Sequence, residues 1–295
     1  MTAALEAVER YLAPTSLVQA LAALRDSGGA TVLAGGTDLM PQGRAGRLQP
    51  TRTLLNIRRV PGLDAVEVDG GTLRVGALAS IATLLVHPLV RQHAPLLAQA
   101  ADHFASDQIR NAATLGGNIC NASPAGDMLP ALLALDAEVE LASLADHGSV
   151  RHRRLALDGF FTGPGRTRRE AFELLTAVRT PLPARGHVAR FYKTGTRPAL
   201  DISTISIAFA ARRDEAGRLY GVRVVLGAVA PTPLRARRTE ALLEGQAIDD
   251  ALAERAAAGA AEEATPIDDV RGSAWYRREL VHNIMRRMLD DVAHH

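Results

Sequence analysis

Apolar positions Leu17, Ala20, Leu21 and Leu24 recur at helical spacing behind Ser16, a residue suited to an N-cap, and Gly28-Gly29 closes the segment. The spacing predicts a helix there, a strand over Thr31 to Ala34, and a second strand over Thr53 to Ile57. In "LDAVEVDGGTLRVGAL" apolar and polar residues alternate on either side of Gly70-Gly71, which predicts a hairpin. Helical periodicity runs from Ser80 to about Ala105 with breaks near Pro88 and Pro95. A short apolar helix is expected from Met128 to Leu135, with strands near Glu138 to Ala142 and Glu173 to Val178. After "RTPLPARG", which has the composition of a linker, "VARFYK", "ISTISIAFAARR" and "LYGVRVVLGAVAP" read as consecutive strands, the last two joined by a turn over Glu215 to Gly217. Helices follow from Thr239, including the Ala-rich stretch over 251–264. The final helix, Ser273 to Val292, places Leu280, Ile284, Met288 and Val292 on one stripe, with Arg277, Arg278, Arg286 and Arg287 largely off it. The order is that of an α+β protein of two domains, with boundaries expected at 1–180 and 186–293.

Composition narrows the class. The 295 residues are 47% hydrophobic and 22% charged, and no apolar run approaches the roughly 20 residues that span a bilayer. The start carries Glu6 and Glu9 and lacks a basic region followed by a long apolar core, so no secretory signal is expected and the cytoplasm is the default. Net charge is only +2, and the short basic clusters, Arg151 to Arg154 and Arg235 to Arg238, lack aromatic interleaving. They suit a solvated face or a partner surface better than a nucleic acid. Cys120 is the only cysteine, so the chain can build neither an internal disulfide nor an iron–sulfur cluster. The 9 histidines show no close ligand spacing, and no protein-bound metal is expected; the terminal pair His294 and His295 is either native or appended.

Two glycine pairs carry the candidate chemistry. "TVLAGGTDLM" holds Gly35-Gly36 and "TLGGNICNASPAGD" holds Gly116-Gly117, each beside hydroxyl or amide groups (Thr37, Thr114, Asn118) and followed by a carboxylate (Asp38, Asp127). Bare backbone can turn several amides into one anion-binding concavity. Neither pair fits G-x-G-x-x-G, and neither is followed by Lys-Ser/Thr, which disfavours a Rossmann enzyme and an NTPase. A tight turn explains either pair alone; two together favour a pyrophosphate gripped from both sides.

The segments "TVLAGGTDLMP", "ATLGGNICNASPAGDMLPALLALDAEVEL", "FFTGPGRT" and "FYKTGTRPALDISTISIA", in that order and over nearly the whole chain, resemble the FAD-binding subunit of molybdenum hydroxylases. That group includes carbon monoxide dehydrogenase and xanthine dehydrogenase. The resemblance implies an FAD-binding domain of the vanillyl-alcohol-oxidase (PCMH) type, followed by a C-terminal domain with a small antiparallel sheet and helices. It implies that Leu33, Ala34, Gly35, Gly36, Thr37, Asp38 and Leu39 wrap the FAD pyrophosphate with backbone amides, and that Thr114, Leu115, Gly116, Gly117 and Asn118 close on it from the other side. Asp127 matches a family carboxylate and would meet a ribose hydroxyl or organise the loop; as a residue it also suits the N-cap of the next helix. Phe104 matches an aromatic beside the flavin ring, and an ordinary core role suits it equally. Leu175 matches a position on the adenine side and also reads as core. Lys193 matches a lysine near the flavin, with Asp201 close by; its alternative is an exposed strand end. Pro164 stands where many relatives place another residue, so no ring contact is assigned to that loop.

The implied activity is electron transfer. A large molybdenum-binding subunit would carry the molybdopterin-type cofactor, and a small iron–sulfur subunit would carry two 2Fe–2S clusters that feed the FAD held here, within a dimer of heterotrimers. No catalytic residue is named. The rivals are a self-contained flavin oxidoreductase, which needs its own proton-transfer residues, and a scaffold whose glycine pairs are only turns.

Overall fold

The computed structural model describes residues 8–48, 50–197 and 201–294. Glu6 and His295, and Leu200 within the "ALDIS" element, lie outside the described residues. The chain opens with β1 (Arg10–Leu12), α1 (Leu17–Asp26), β2 (Thr31–Leu33), α2 (Leu39–Arg44) and β3 (Thr53–Asn56). The three strands form a parallel sheet in the order β1-β3-β2, and Ser16 caps α1 by accepting from Gln19 N. The expected hairpin is present as β4 (Val66–Asp69) and β5 (Thr72–Gly76).

Six short helices come next: α3 (Ile81–Val86), α4 (Pro88–His93), α5 (Pro95–Asp102), α6 (Asp107–Ala112), α7 (Leu115–Asn121) and α8 (Met128–Ala134). Pro88 and Pro95 stand at the first turns of α4 and α5, where the missing N–H costs nothing. Then β6 (Glu138–Leu144), β7 (Val150–Ala156), the small pair β8 (Phe161–Gly163) and β9 (Arg166–Thr167), and β10 (Leu174–Pro181) follow. Strands β4-β5-β10-β6-β7 make one antiparallel sheet. Strand β7 is the "RHRR" cluster, which sequence patterning reads only as a charged face. It forms an edge strand, a place where arginine suits both solvent exposure and protection against edge pairing.

The last part holds β11 (His187–Thr194), β12 (Ile205–Arg213), β13 (Leu219–Gly227) and β14 (Leu234–Arg235) in one antiparallel sheet, then α9 (Arg237–Leu243), α10 (Asp250–Glu263) and α11 (Ala274–His294). The α+β class and the small antiparallel C-terminal sheet are as expected. Strand β12 is apolar on both sides because both sides are covered: Ile205, Ile207, Phe209 and Ala211 join the core under α10 and α11, whereas Ala208 and Ala210 join the core built by α3 to α8. The sheet thus seats the C-terminal part against α5 and α8. Phe209→Ala should lower unfolding free energy by about 3–5 kcal/mol, read as a shifted denaturant midpoint, since the ring is fully buried.

One side-chain expectation fails on α11. Arg277 is off the apolar stripe in sequence yet buried, because it donates to Ala228 O (3.2 Å) and to Asp269 Oδ1 (2.6 Å) across the helix entry. Among the described residues no helix is long and apolar enough to cross a membrane.

Candidate functional site

The connection from β2 to α2 and the start of α7 meet over a cavity of about 620 Å³. Why glycine stands in these segments is answered by what a side chain would strike. A Cβ on Gly35 would lie 2.0 Å from Ala112 O, at the C-terminal end of α6, so glycine here lets the β2–α2 connection rest on that helix end. Gly36 is needed for its left-handed backbone, φ +72°. A Cβ on Gly116 would fall 2.7 Å from Ala77 Cβ, because the first turn of α7 packs flat on the end of β5. The bare backbone first serves the fit of protein on protein; the concavity follows from that fit.

The two segments then differ in what they can offer a ligand. The amides of Gly35, Gly36, Thr37 and Asp38 donate no hydrogen bond among the described residues. In the second segment the amides are engaged: Leu115 N to Ala79 O (3.0 Å), Gly116 N to Ala77 O (2.8 Å), Gly117 N to Thr114 Oγ1 (3.0 Å) and Asn118 N to Thr114 O (3.0 Å). The pair that reads as a loop is the first turn of a helix capped by Thr114. What this side presents is therefore side-chain chemistry, and Asn118 Oδ1 is a buried acceptor with no partner among the described residues. An amide cradle on one wall, faced by the Thr114 and Asn118 side chains on the other, fits a diphosphate-bearing group.

Of the expected positions, Ala34, Gly35, Gly36, Thr37, Asp38, Leu39, Phe104, Thr114, Gly116, Gly117, Asn118, Asp127 and Leu175 line the cavity. Leu33, Leu115 and Lys193 do not: Leu33 ends β2, and Leu115 is fully buried in the core. Phe104 is half-buried at the cavity wall, its carbonyl held by Arg110 Nη1 (2.7 Å). The lining also includes residues that sequence reading missed, among them Ile57, Cys120, Glu173, Leu174 and Ile202. The Cys120 thiol is open to the cavity but enclosed by protein elsewhere, and that burial pushes its pKa up. Glu173 comes from the start of β10. Burial opposes its ionisation, but a two-pronged contact from Arg153 (2.5 and 2.7 Å) outweighs it and holds the carboxyl below the usual range. One arginine of the β7 cluster thus reaches the cavity wall.

Asp127 corrects another expectation. It stands at the N-terminus of α8 without making a side-chain cap bond. Instead its carboxylate takes Lys193 Nζ on Oδ2 (2.7 Å) and Ser203 Oγ on Oδ1 (2.5 Å). Lys193 also donates to His103 O (2.9 Å), at the end of α5, and its side chain is only 7% exposed, so it is not an exposed strand end. Burial pushes the Asp127 carboxyl up, with Lys193 and Ser203 pulling the other way. Lys193 faces a second cavity of about 580 Å³, which shares Ala105 and Asp201 with the first. Asp201 binds Thr196 N and Oγ1 (both 2.5 Å) and Ile202 N (2.8 Å), and the Thr196 contacts lower its pKa. A composition signal points to Lys193: it is the only lysine among 34 basic residues, the rest being arginine.

Comparison with known proteins agrees with this geometry. Residues 6–183 match the description "FAD binding domain in molybdopterin dehydrogenase", and residues 190–292 match "CO dehydrogenase flavoprotein C-terminal domain". The chain is 30% identical over 285 residues to a xanthine dehydrogenase FAD-binding subunit of Escherichia coli O157:H7, covering 96% of this chain and 95% of that one. It is 32% identical over 281 residues to the carbon monoxide dehydrogenase medium chain of Hydrogenophaga pseudoflava, covering 95% of each. The solved carbon monoxide dehydrogenase from that organism, in a form lacking the Mo-pyranopterin moiety of its molybdenum cofactor, superposes with a TM-score of 0.89 at 33% identity over 95% of each chain.

Proposed function

The chain belongs to the family carrying the FAD-binding domain of molybdopterin dehydrogenases, and on that premise we propose that it is the electron-transfer subunit of a cytoplasmic molybdenum hydroxylase. In this reading residues 1–180 form the FAD-binding domain and 186–293 the C-terminal domain. A large subunit holds the molybdopterin-type cofactor, and a small subunit holds two 2Fe–2S clusters that pass electrons to FAD here, within a dimer of heterotrimers. The observation that carries the reading is the cavity walled by both glycine segments, with the amides of Gly35 to Asp38 free on one side and the Thr114 and Asn118 side chains on the other.

When bound, FAD supplies a centre that takes electrons singly and gives them up singly or in pairs. The chain's own residues bind and orient it. The amides of Gly35 to Asp38 donate to the diphosphate without adding net charge, Thr114 and Asn118 complete the opposite wall, and Phe104 offers a ring for stacking. Leu174 and Leu175 cover the apolar end and keep water out. Lys193 and Asp127 enter as a neutralised pair.

A self-contained oxidoreductase is disfavoured by the state of the acids. The carboxylates lining the cavity, Asp38, Asp127, Glu173 and Asp201, are each hydrogen-bonded within the chain, and no histidine or tyrosine lines it among the described residues. The FAD-loaded chain alone, mixed with the substrate of its native complex, should keep its visible spectrum, and the complete complex should bleach. Bleaching of the isolated chain would sink the subunit reading.

A further inference from the structure

Asp127 grips both ends of the β11–β12 connection at once. Lys193 lies one residue before the end of β11 and Ser203 two residues before β12, and both reach the same carboxylate across the boundary between the two parts of the chain. Lys193 adds a third point, the carbonyl of His103 at the end of α5, next to Phe104 and Ala105 on the cavity wall. Between the gripped ends, Asp201 and Ile202 line the cavity. Ser203 is buried, and no other described residue supplies a hydroxyl to this carboxylate.

The chain's use of basic residues points the same way. It places arginine at every basic position but this one. A compact ammonium with three donors can satisfy a carboxylate and a carbonyl in a closed space, where a planar guanidinium with five donors would leave some unpaired.

We infer that Ser203 is a positioning residue for the flavin site: with Lys193 it holds Asp127 ionised, and the resulting three-residue hub fixes Phe104, Asp201 and Ile202 against the bound ring system. The inference rests on the FAD reading and adds to it a residue and a dependence on protonation. The described titratable groups facing Asp127 are Lys193 from β11 and His103 from the end of α5; His103, when protonated, also favours the carboxylate. Burial already pushes the Asp127 carboxyl up, so removing the Ser203 donor moves it further in the same direction. Protonation of Asp127 releases both ends of the connection.

The sole lysine gives a direct probe. In protein labelled with nitrogen-15 lysine, the one side-chain ammonium signal of the FAD-free chain reports this hub without any cofactor. The experiment is run in a His103→Gln background, which keeps the backbone carbonyl that Lys193 uses. Acidification should shift the signal at the Asp127 midpoint. Ser203→Ala should raise that midpoint by about one pH unit, Ser203→Thr should leave it in place, and Asp127→Asn should abolish it. FAD affinity, titrated over the same pH range, should fall about tenfold in Ser203→Ala near neutrality, with its acid limb moved upward. An unchanged midpoint in Ser203→Ala, or a step that persists in Asp127→Asn, would overturn the inference; the second arm decides even if Ser203→Ala does not fold. Failure of the wild-type chain to bind FAD overturns the functional reading instead, and the ammonium signal still decides the hub.

Discussion

Gly35→Ala is expected to lose both stability and FAD, and to be the most damaging single-methyl change in the chain. The added carbon would sit 2.0 Å from Ala112 O and 2.8 Å from Ala112 C, and neither atom can rotate away because both are backbone. Relief requires the β2–α2 connection to lift off the C-terminal end of α6. Overpacking of this kind costs about 1–3 kcal/mol, or a fall of about 2–5 °C in melting temperature. Separating the two walls also moves the Gly35 to Asp38 amides away from Asn118, so FAD affinity should drop by about a hundredfold, since each 1.4 kcal/mol is a factor of ten. Gly36→Ala makes the contrast. Its neighbours are the flexible side chains of Leu33 (3.1 Å) and Met40 (3.4 Å), and its penalty is mainly the left-handed backbone, about 1–2 kcal/mol. If bare backbone existed only to leave room for a phosphate, the two variants would behave alike. A melting curve and an FAD titration of each separates the explanations.

Lys193→Met should cost as much as the loss of a fully buried core ring, and its damage should depend on pH. The buried Asp127 carboxylate would lose its charged partner, and breaking a buried pair from one side costs about 3–5 kcal/mol. Burial already raises the folded-state pKa of Asp127 above its ordinary value of 3.8, and without Lys193 it rises further. A carboxyl whose folded pKa is raised favours the fold below its unfolded pKa and loses that contribution as pH climbs through the folded pKa. The stability deficit of Lys193→Met is therefore largest near and above neutrality and shrinks as pH falls toward the ordinary aspartate range. Melting temperatures of wild type and variant over that range test this. A deficit independent of pH would show that Lys193 contributes only packing.

Much of the fold was legible because its signals are local. The α1 cap at Ser16, the Gly70-Gly71 hairpin, the proline-marked helix starts at Pro88 and Pro95, and the last-helix stripe each rest on chemistry within a few residues. Strand β7 was not legible, since an arginine-rich edge strand carries no apolar alternation. In sequence the second glycine pair reads as a tight turn, and its helical start depends on Gly116 meeting Ala77, a contact that no short window contains. Arg277 and Asp127 failed for the same reason: a charged residue at a helix start looks solvated or capping until the partner from another element is known.

The site divided in the same way. Motif resemblance located most of the cavity wall. It could not tell that the second segment's amides are already spent within α7, which leaves Thr114 and Asn118 to face the ligand. Nor could it find Glu173 or Ser203, whose importance comes from Arg153 and Asp127 reaching them from elements distant in sequence. The lone lysine was the one long-range clue visible in composition, and its meaning needed the ion pair.

This chain is expected to hold flavin and nothing else of the redox chain. The decisive measurement is the cofactor content of the separated subunits of the native complex. One FAD is expected on this polypeptide, with iron and molybdenum entirely on other chains. Iron or molybdenum on this chain, or flavin recovered with a different subunit, would contradict it.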